Sequence, residues 1–135
     1  SEGYTIAWDA DVSEDGFNWR KGIAVYTNES TEDLSEEDSE RIFGLPYTEP
    51  AVSQEIRQTA FMNYETTDDH LMHITGMVKD KKGKVYYTVK NSWGTNRGGF
   101  DGFLYASEKY VQMKSISFLI HKDAVPADLA KRLGL

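Results

Sequence analysis

The sequence predicts an α+β domain, an antiparallel, barrel-like sheet with helices at its periphery. Three observations carry this. The runs His70–Lys79 and Lys84–Lys90, rich in Val, Tyr and Thr, flank Asp80-Lys81-Lys82-Gly83, which is the pattern of a hairpin with a Gly-containing loop. Shorter β-rich runs recur at Tyr4–Trp8, Gly22–Tyr26, Gly102–Tyr105 and Ile116–His121. Helix-start signals fall between them, at Ser35, Pro50, Ser107 and Pro126.

In chain order, Tyr4-Thr5-Ile6-Ala7-Trp8 reads as a strand that runs into an acidic loop, Asp9 to Gly16, bearing Asp9, Asp11, Glu14 and Asp15. A second short strand follows at Gly22–Tyr26. Between Glu29 and Glu40 stand seven acidic residues with only Leu34 apolar, which reads as a solvated surface excursion. Within it, Ser35 and Asp38 have the spacing of an N-cap pair, so a short helix to Phe43 is expected. Pro46 and Pro50 mark a turn. Pro50 is placed in the first turn of a helix through Gln54, Ile56, Arg57, Ala60 and Phe61, whose 56/60 and 57/61 pairs let one side face a core.

Thr66-Thr67-Asp68-Asp69 is turn-like and leads into the hairpin. After Asn91-Ser92-Trp93-Gly94 comes a stretch with Gly98, Gly99 and Gly102, and the chain returns as a strand at Gly102–Tyr105. Ser107 caps a short helix to Met113. Ile116–His121 is the last strand, and Pro126 opens a final helix that Gly134 ends. No internal repeat interrupts this order.

Composition narrows the function. At 135 residues and 15.3 kDa, one domain is expected. Fifteen Lys and Arg against 22 Asp and Glu give a net charge of -7, which disfavours nucleic-acid backbones and anionic lipid. No apolar run is long enough to span a membrane, and no basic segment precedes an apolar one as in a signal peptide. Three Trp and eight Tyr supply the large rings that a folded core needs. The sequence opens at Ser1 rather than Met, and is read as processed or excised. It has no Cys, so disulfides, Cys-ligated zinc and a thiol nucleophile are excluded on this chain.

The hairpin spacing brings one pair of polar residues together. If the chain reverses around residues 80 to 83, position 70 lies opposite positions 91 to 93, and strand neighbours are about 4.8 Å apart. His70 and Asn91 then meet at the open end. A carboxamide that accepts the imidazole N–H fixes the tautomer and leaves the other nitrogen free for proton transfer. Trp93, two residues on, could cover that bond. Other chemistry fits less well. Asp68, Asp69, His70 and His73 are a dense set of metal ligands, but residues 70 and 73 of one strand point to opposite faces. The Asp9-x-Asp11 pattern lacks the Gly and Glu of a calcium loop, with Glu14 and Arg20 in their places. Ser92 has no Gly-x-Ser-x-Gly elbow. No metal and no cofactor is expected.

The wording around these residues is similar to a known family. Asp69-His70, Gly76, Val89-Lys90-Asn91-Ser92-Trp93-Gly94 and the Gly-rich tail resemble the second half of papain-like cysteine proteases. Tyr4–Asp9, Gln54–Gln58 with Phe61, and Lys122-Asp123-Ala124-Val125-Pro126 with Leu133-Gly134-Leu135 resemble one branch, the bleomycin hydrolase and aminopeptidase C family. The likeness covers nearly all of the chain.

It implies that residues 1–135 are the His/Asn-bearing right-hand lobe of a larger peptidase. His70 would be the general base and acid, Asn91 its orienting partner and Trp93 the shield. The Cys nucleophile and the oxyanion-hole Gln would lie in an N-terminal lobe absent here, so the chain alone would be inactive. By the same resemblance the terminal carboxylate, at Leu135, would pair with the free α-amino group of a peptide substrate. The family favours the cytoplasm, and location stays open. Two further expectations follow. The cleft face, uncovered without its other lobe, would promote self-association. The alternative function is a non-catalytic papain-like binding module whose acidic face, Glu29 to Glu40, meets a basic partner.

Overall fold

The computed structural model describes residues 3–44, 47–96 and 98–135; the turn expected at Pro46 lies outside them. Seven strands form one sheet, in the order β2-β3-β6-β5-β4-β1-β7. They are β1 (Ile6–Ala10), β2 (Phe17–Asn18), β3 (Ile23–Ala24), β4 (His70–Lys79), β5 (Val85–Lys90), β6 (Phe103–Ser107) and β7 (Ser115–Ile120). Four helices lie around it, α1 (Glu36–Phe43), α2 (Gln54–Met62), α3 (Glu108–Lys114) and α4 (Ala127–Leu133). The class is α+β, as the sequence predicts.

The sheet is not a closed barrel. Its edges, β2 and β7, stand at opposite ends of the strand order, and β2 and β3 are two residues long, too short to carry a closing ladder. Nor is it wholly antiparallel, because β3 runs parallel to β6, Ile23 opposite Tyr105 and Ala24 opposite Ala106. Two further expectations are corrected. The stretch read as an acidic loop begins inside β1, and Asp9 and Asp11 are buried. Helix α2 starts after Ser53, whose side chain accepts the Ile56 N–H, so Pro50 precedes the helix instead of sitting in its first turn. On α2 only Ala60 is buried, and Ile56 and Phe61 remain largely exposed.

The capping signals read elsewhere are formed. Ser35 accepts the Asp38 N–H at the start of α1, and Ser107 accepts the Tyr110 N–H at the start of α3. Gly134, in the left-handed region, closes α4. At the hairpin turn Gly83 has φ of 84°, which a residue with a Cβ adopts only at a cost. The β4–β5 register slips by one residue between Ile74 and Gly76, a bulge at Thr75, beyond which His73 opposes Lys90.

The core holds this frame. Trp8, Ala10, Met72, Ile74, Val89, Leu104 and Ala106 project from one sheet face onto Tyr110 and Val111 of α3. Tyr86, on the other face of β5, packs with Ile42 and Phe43 of α1, so the middle of the sheet is covered on both sides. Burying one such large apolar side chain contributes about 1.5–3 kcal/mol. The buried polar ends are paired: Trp8 Nε1 donates to Ser115 Oγ at 2.7 Å, and the Tyr110 hydroxyl donates to the Asp11 carbonyl at 2.7 Å. These bonds tie β1 and the residue that follows it to β7 and α3, and β1 in turn pairs with β4, Ala10 opposite His70.

Candidate active site

His70 is the first residue of β4, and Asn91 directly follows β5. His70 Nε2 and Asn91 Oδ1 are 2.7 Å apart. The orientation of the amide is set independently, because the Ser92 backbone N–H also donates to Asn91 Oδ1, at 2.7 Å. An oxygen that accepts on one side cannot donate on the other. Nε2 therefore carries the hydrogen, and in the neutral ring Nδ1 holds the free lone pair. Asn91 is 3% exposed, and its backbone N–H donates to the Gly102 carbonyl at 2.9 Å. The β6 side thus pins the residue that orients the imidazole. Ser92 Oγ lies 3.4 Å from Nε2, the nitrogen already engaged, and so does not face the free lone pair.

Aromatic rings cover this contact. The Trp93 ring stands 4.8 Å from the His70 ring, tilted by 37°. Trp93 is itself packed edge-on by Trp19 at 5.6 Å and Phe17 at 6.0 Å, and stays 42% exposed on its outer side. Below Trp19 the Gly-rich segment passes too close for side chains. A Cβ on Gly99, at φ of 66°, would lie 2.4 Å from the Phe103 carbonyl oxygen and 2.9 Å from the Trp19 ring. The glycines seen in the sequence therefore have a steric task, to seat the indole pair over the imidazole.

On the other flank lie carboxylates. Asp69 accepts from the Val12 and Ser13 backbone N–H groups and from Thr67 Oγ1, tying the segment before His70 to the loop after β1. Burial acts to raise its carboxyl, but hydrogen bonds shared with Asp11, Ser13 and Thr67 outweigh that and hold it below the usual carboxylate range. Asp11 Oδ2 accepts the Thr67 N–H at 2.8 Å, a second tie between the same segments. Asp9 is 8% exposed, and burial together with the like charge of Asp68 pushes its carboxyl above the ordinary value.

Several candidates are not brought to this place. His73 turns away from His70, its Nε2 2.7 Å from Thr5 Oγ1. Among the described residues no three His, Asp or Glu side chains converge as a metal site. Leu135 is 75% exposed beyond α4, and its backbone N–H returns to the Ala130 carbonyl. Sequence reasoning missed Phe17, Trp19, Asp11 and Asp9. Only Trp19 left a signal, as one of three Trp residues in a segment with few other apolar side chains.

Residues 50–134 match the sequence pattern of the Peptidase C1-like family. The chain belongs to the Peptidase C1-like family. No curated protein matches it. Among solved structures it is similar to PepW from Lactobacillus rhamnosis HN001, at 23% identity over 95% of this chain with a TM-score of 0.60. That likeness shows a shared fold. This member of the Peptidase C1-like family spans 26% of the PepW chain.

Proposed function

We propose that this chain is the His/Asn lobe of a cysteine aminopeptidase of the bleomycin hydrolase and aminopeptidase C type. Its thiol nucleophile comes from a lobe outside the sequence. The observation that carries the reading is the 2.7 Å contact between His70 Nε2 and Asn91 Oδ1, which in the neutral ring leaves the lone pair on Nδ1. Family membership supports a peptidase parent.

The chemistry follows from that tautomer. Nδ1 takes the thiol proton, and the imidazolium beside the thiolate lowers the thiol pKa. The thiolate adds to the scissile carbonyl carbon, and the carbon–nitrogen bond breaks as Nδ1 returns the proton to the leaving amine. A water, deprotonated by the same nitrogen, then hydrolyses the thioester and restores the thiol. Asn91 keeps the ring from rotating while its charge changes, and Trp93 keeps water off the Nε2 bond. Leu135 takes the role its family resemblance gives it, anchoring the substrate α-amino group.

Hydrolysis of an aminoacyl-arylamide by the full-length parent tests this. His70→Ala should lower kcat by about 10²–10⁴-fold, the usual contribution of a general acid and base. This chain alone should be inactive. A parent that keeps its activity without the imidazole would refute the assignment, and activity in the isolated chain would refute the need for a second lobe. Sedimentation of the isolated chain should show self-association that the other lobe suppresses.

A further inference from the structure

Where α2 ends, Phe61, Met62 and Tyr64 all stand exposed. Gln58, Phe61 and Met62 are spaced three and four apart, so they share one side of the helix, while Ala60 forms its buried side. Tyr64 is the more unusual residue. It follows the C-cap Asn63 with φ of 64°, at the position past a helix end where glycine is the ordinary choice. A bulky side chain is strained there, and strain of this kind clusters at ligand clamps. The ring is 83% exposed, so packing within the chain does little to offset the strain.

These side chains line an open cleft of about 420 Å³ together with Thr66, Thr67 and Asp68. That lies within the size range of small-ligand sites. The segment opposite the helix is held firmly. The Thr66 N–H donates to the Ala60 carbonyl at 3.0 Å, and the Thr67 N–H donates to Asp11 Oδ2 at 2.8 Å. Asp68 stands two residues before His70, so the cleft begins within about 7 Å of backbone from that residue.

The cleft is apolar with a single charge. Asp68 is exposed, and among the described residues no Lys or Arg lines the cleft and no ion pair reaches Asp68. Lys114, which donates to Thr66 Oγ1, is buried and already paired with Glu14. From Gln58 to Asp69 the sequence carries Glu65, Asp68 and Asp69 and no basic residue, so the local field favours a cation. A side chain with an apolar stem and a charged head uses both the walls and the carboxylate. A guanidinium does so best, because its plane stacks on aromatic rings and its fork meets a carboxylate through two N–H groups.

We propose that this cleft takes an arginine side chain of the peptide substrate, its stem against Phe61 and Met62 and its guanidinium at Tyr64 and Asp68. The inference rests on the peptidase reading for the peptide that carries the arginine, and on the cleft alone for the side chain.

The test is a titration of this chain with N-acetyl-argininamide, N-acetyl-citrullinamide and N-acetyl-lysinamide, followed by the Met62 methyl, Tyr64 ring and Asp68 amide resonances. Citrulline has the shape of arginine without its charge. At low salt the arginine probe should bind about tenfold more tightly than the citrulline probe, and more tightly than the lysine probe. Added salt should narrow the gap to citrulline. Asp68→Asn should bring arginine to the citrulline level. Tyr64→Gly should weaken arginine binding about two- to fivefold without lowering the thermal midpoint, because glycine relieves the left-handed backbone.

Equal binding of arginine and citrulline would overturn the site. So would shifts confined to other residues, or a preference that survives Asp68→Asn. Tighter binding of lysine than of arginine would overturn the guanidinium assignment. A fall in the thermal midpoint of Tyr64→Gly would assign the ring to the fold and overturn its part in binding. The titration requires no turnover. It can fail while His70→Ala still inactivates the parent, and it can succeed where the catalytic reading fails.

Discussion

At its turn, the β4–β5 hairpin is closed by its own residues. Asp80 Oδ1 accepts the Lys82 and Lys84 N–H groups at 2.8 and 2.9 Å, the Asp80 N–H donates to the Lys84 carbonyl, and the Gly83 N–H donates back to Asp80. At the open end local bonds are joined by supports from distant segments. Gly102 holds Asn91, Trp19 and Phe17 hold Trp93, and Val12 and Ser13 hold Asp69. The turn has one purpose, to reverse the chain. The open end gathers three distant segments around one imidazole, and convergence of that kind holds a side chain rigidly in place.

Substitutions at the two ends can break this contrast. The largest effect after loss of His70 itself is expected from Asn91→Ala, which should lower kcat of the parent roughly tenfold to a hundredfold. That is the worth of one hydrogen bond to a group that becomes charged, about 1.5–3 kcal/mol. Rotation of the freed ring should appear in the pH–rate profile, and an unchanged kcat would remove the orienting role.

Next comes Gly99→Ala, which forces a methyl against the Phe103 carbonyl and the Trp19 ring. It should cost about 1–3 kcal/mol in urea unfolding, with a shift in Trp emission because the indole pair moves. At the other end, Gly83→Ala meets open space and suffers only backbone strain, about 1 kcal/mol, with no change at Trp93. Equal losses at the two glycines would erase the distinction between a crowded site and a free turn.

The smallest effect is expected from Asp69→Asn, and it depends on pH. The native carboxyl is held below the ordinary aspartate value of 3.8. Its contribution is therefore present above that value and is lost as pH falls through the lower, folded one. Thermal midpoints of native chain and variant should differ at neutral pH and converge in acid. A gap that widened in acid would reverse the sign assigned to Asp69.

What the sequence made legible follows the same contrast. Helices α1 and α3 and the hairpin turn were readable because each is announced by a residue acting within a few positions of itself, Ser35, Ser107 and Gly83. The His70–Asn91 contact was also readable, since a hairpin converts spacing into proximity. The start of α2 was misplaced because Pro50 drew attention from the nearer cap, Ser53. Asp9 and Asp11 were read as part of an acidic loop, and their burial depends on partners dozens of residues away, Thr67, Ser117 and Tyr110. The parallel β3–β6 pair and the open sheet share that cause. Two-residue strands have no periodicity to read.

The edge-on indoles give the molecule an optical gauge of its own. Trp19 and Trp93 stand 5.6 Å apart at 87°, close enough for their electronic transitions to couple, and Trp93 also touches the imidazole. Light emitted by this pair therefore responds to changes around the His70 ring, without a substrate or a label.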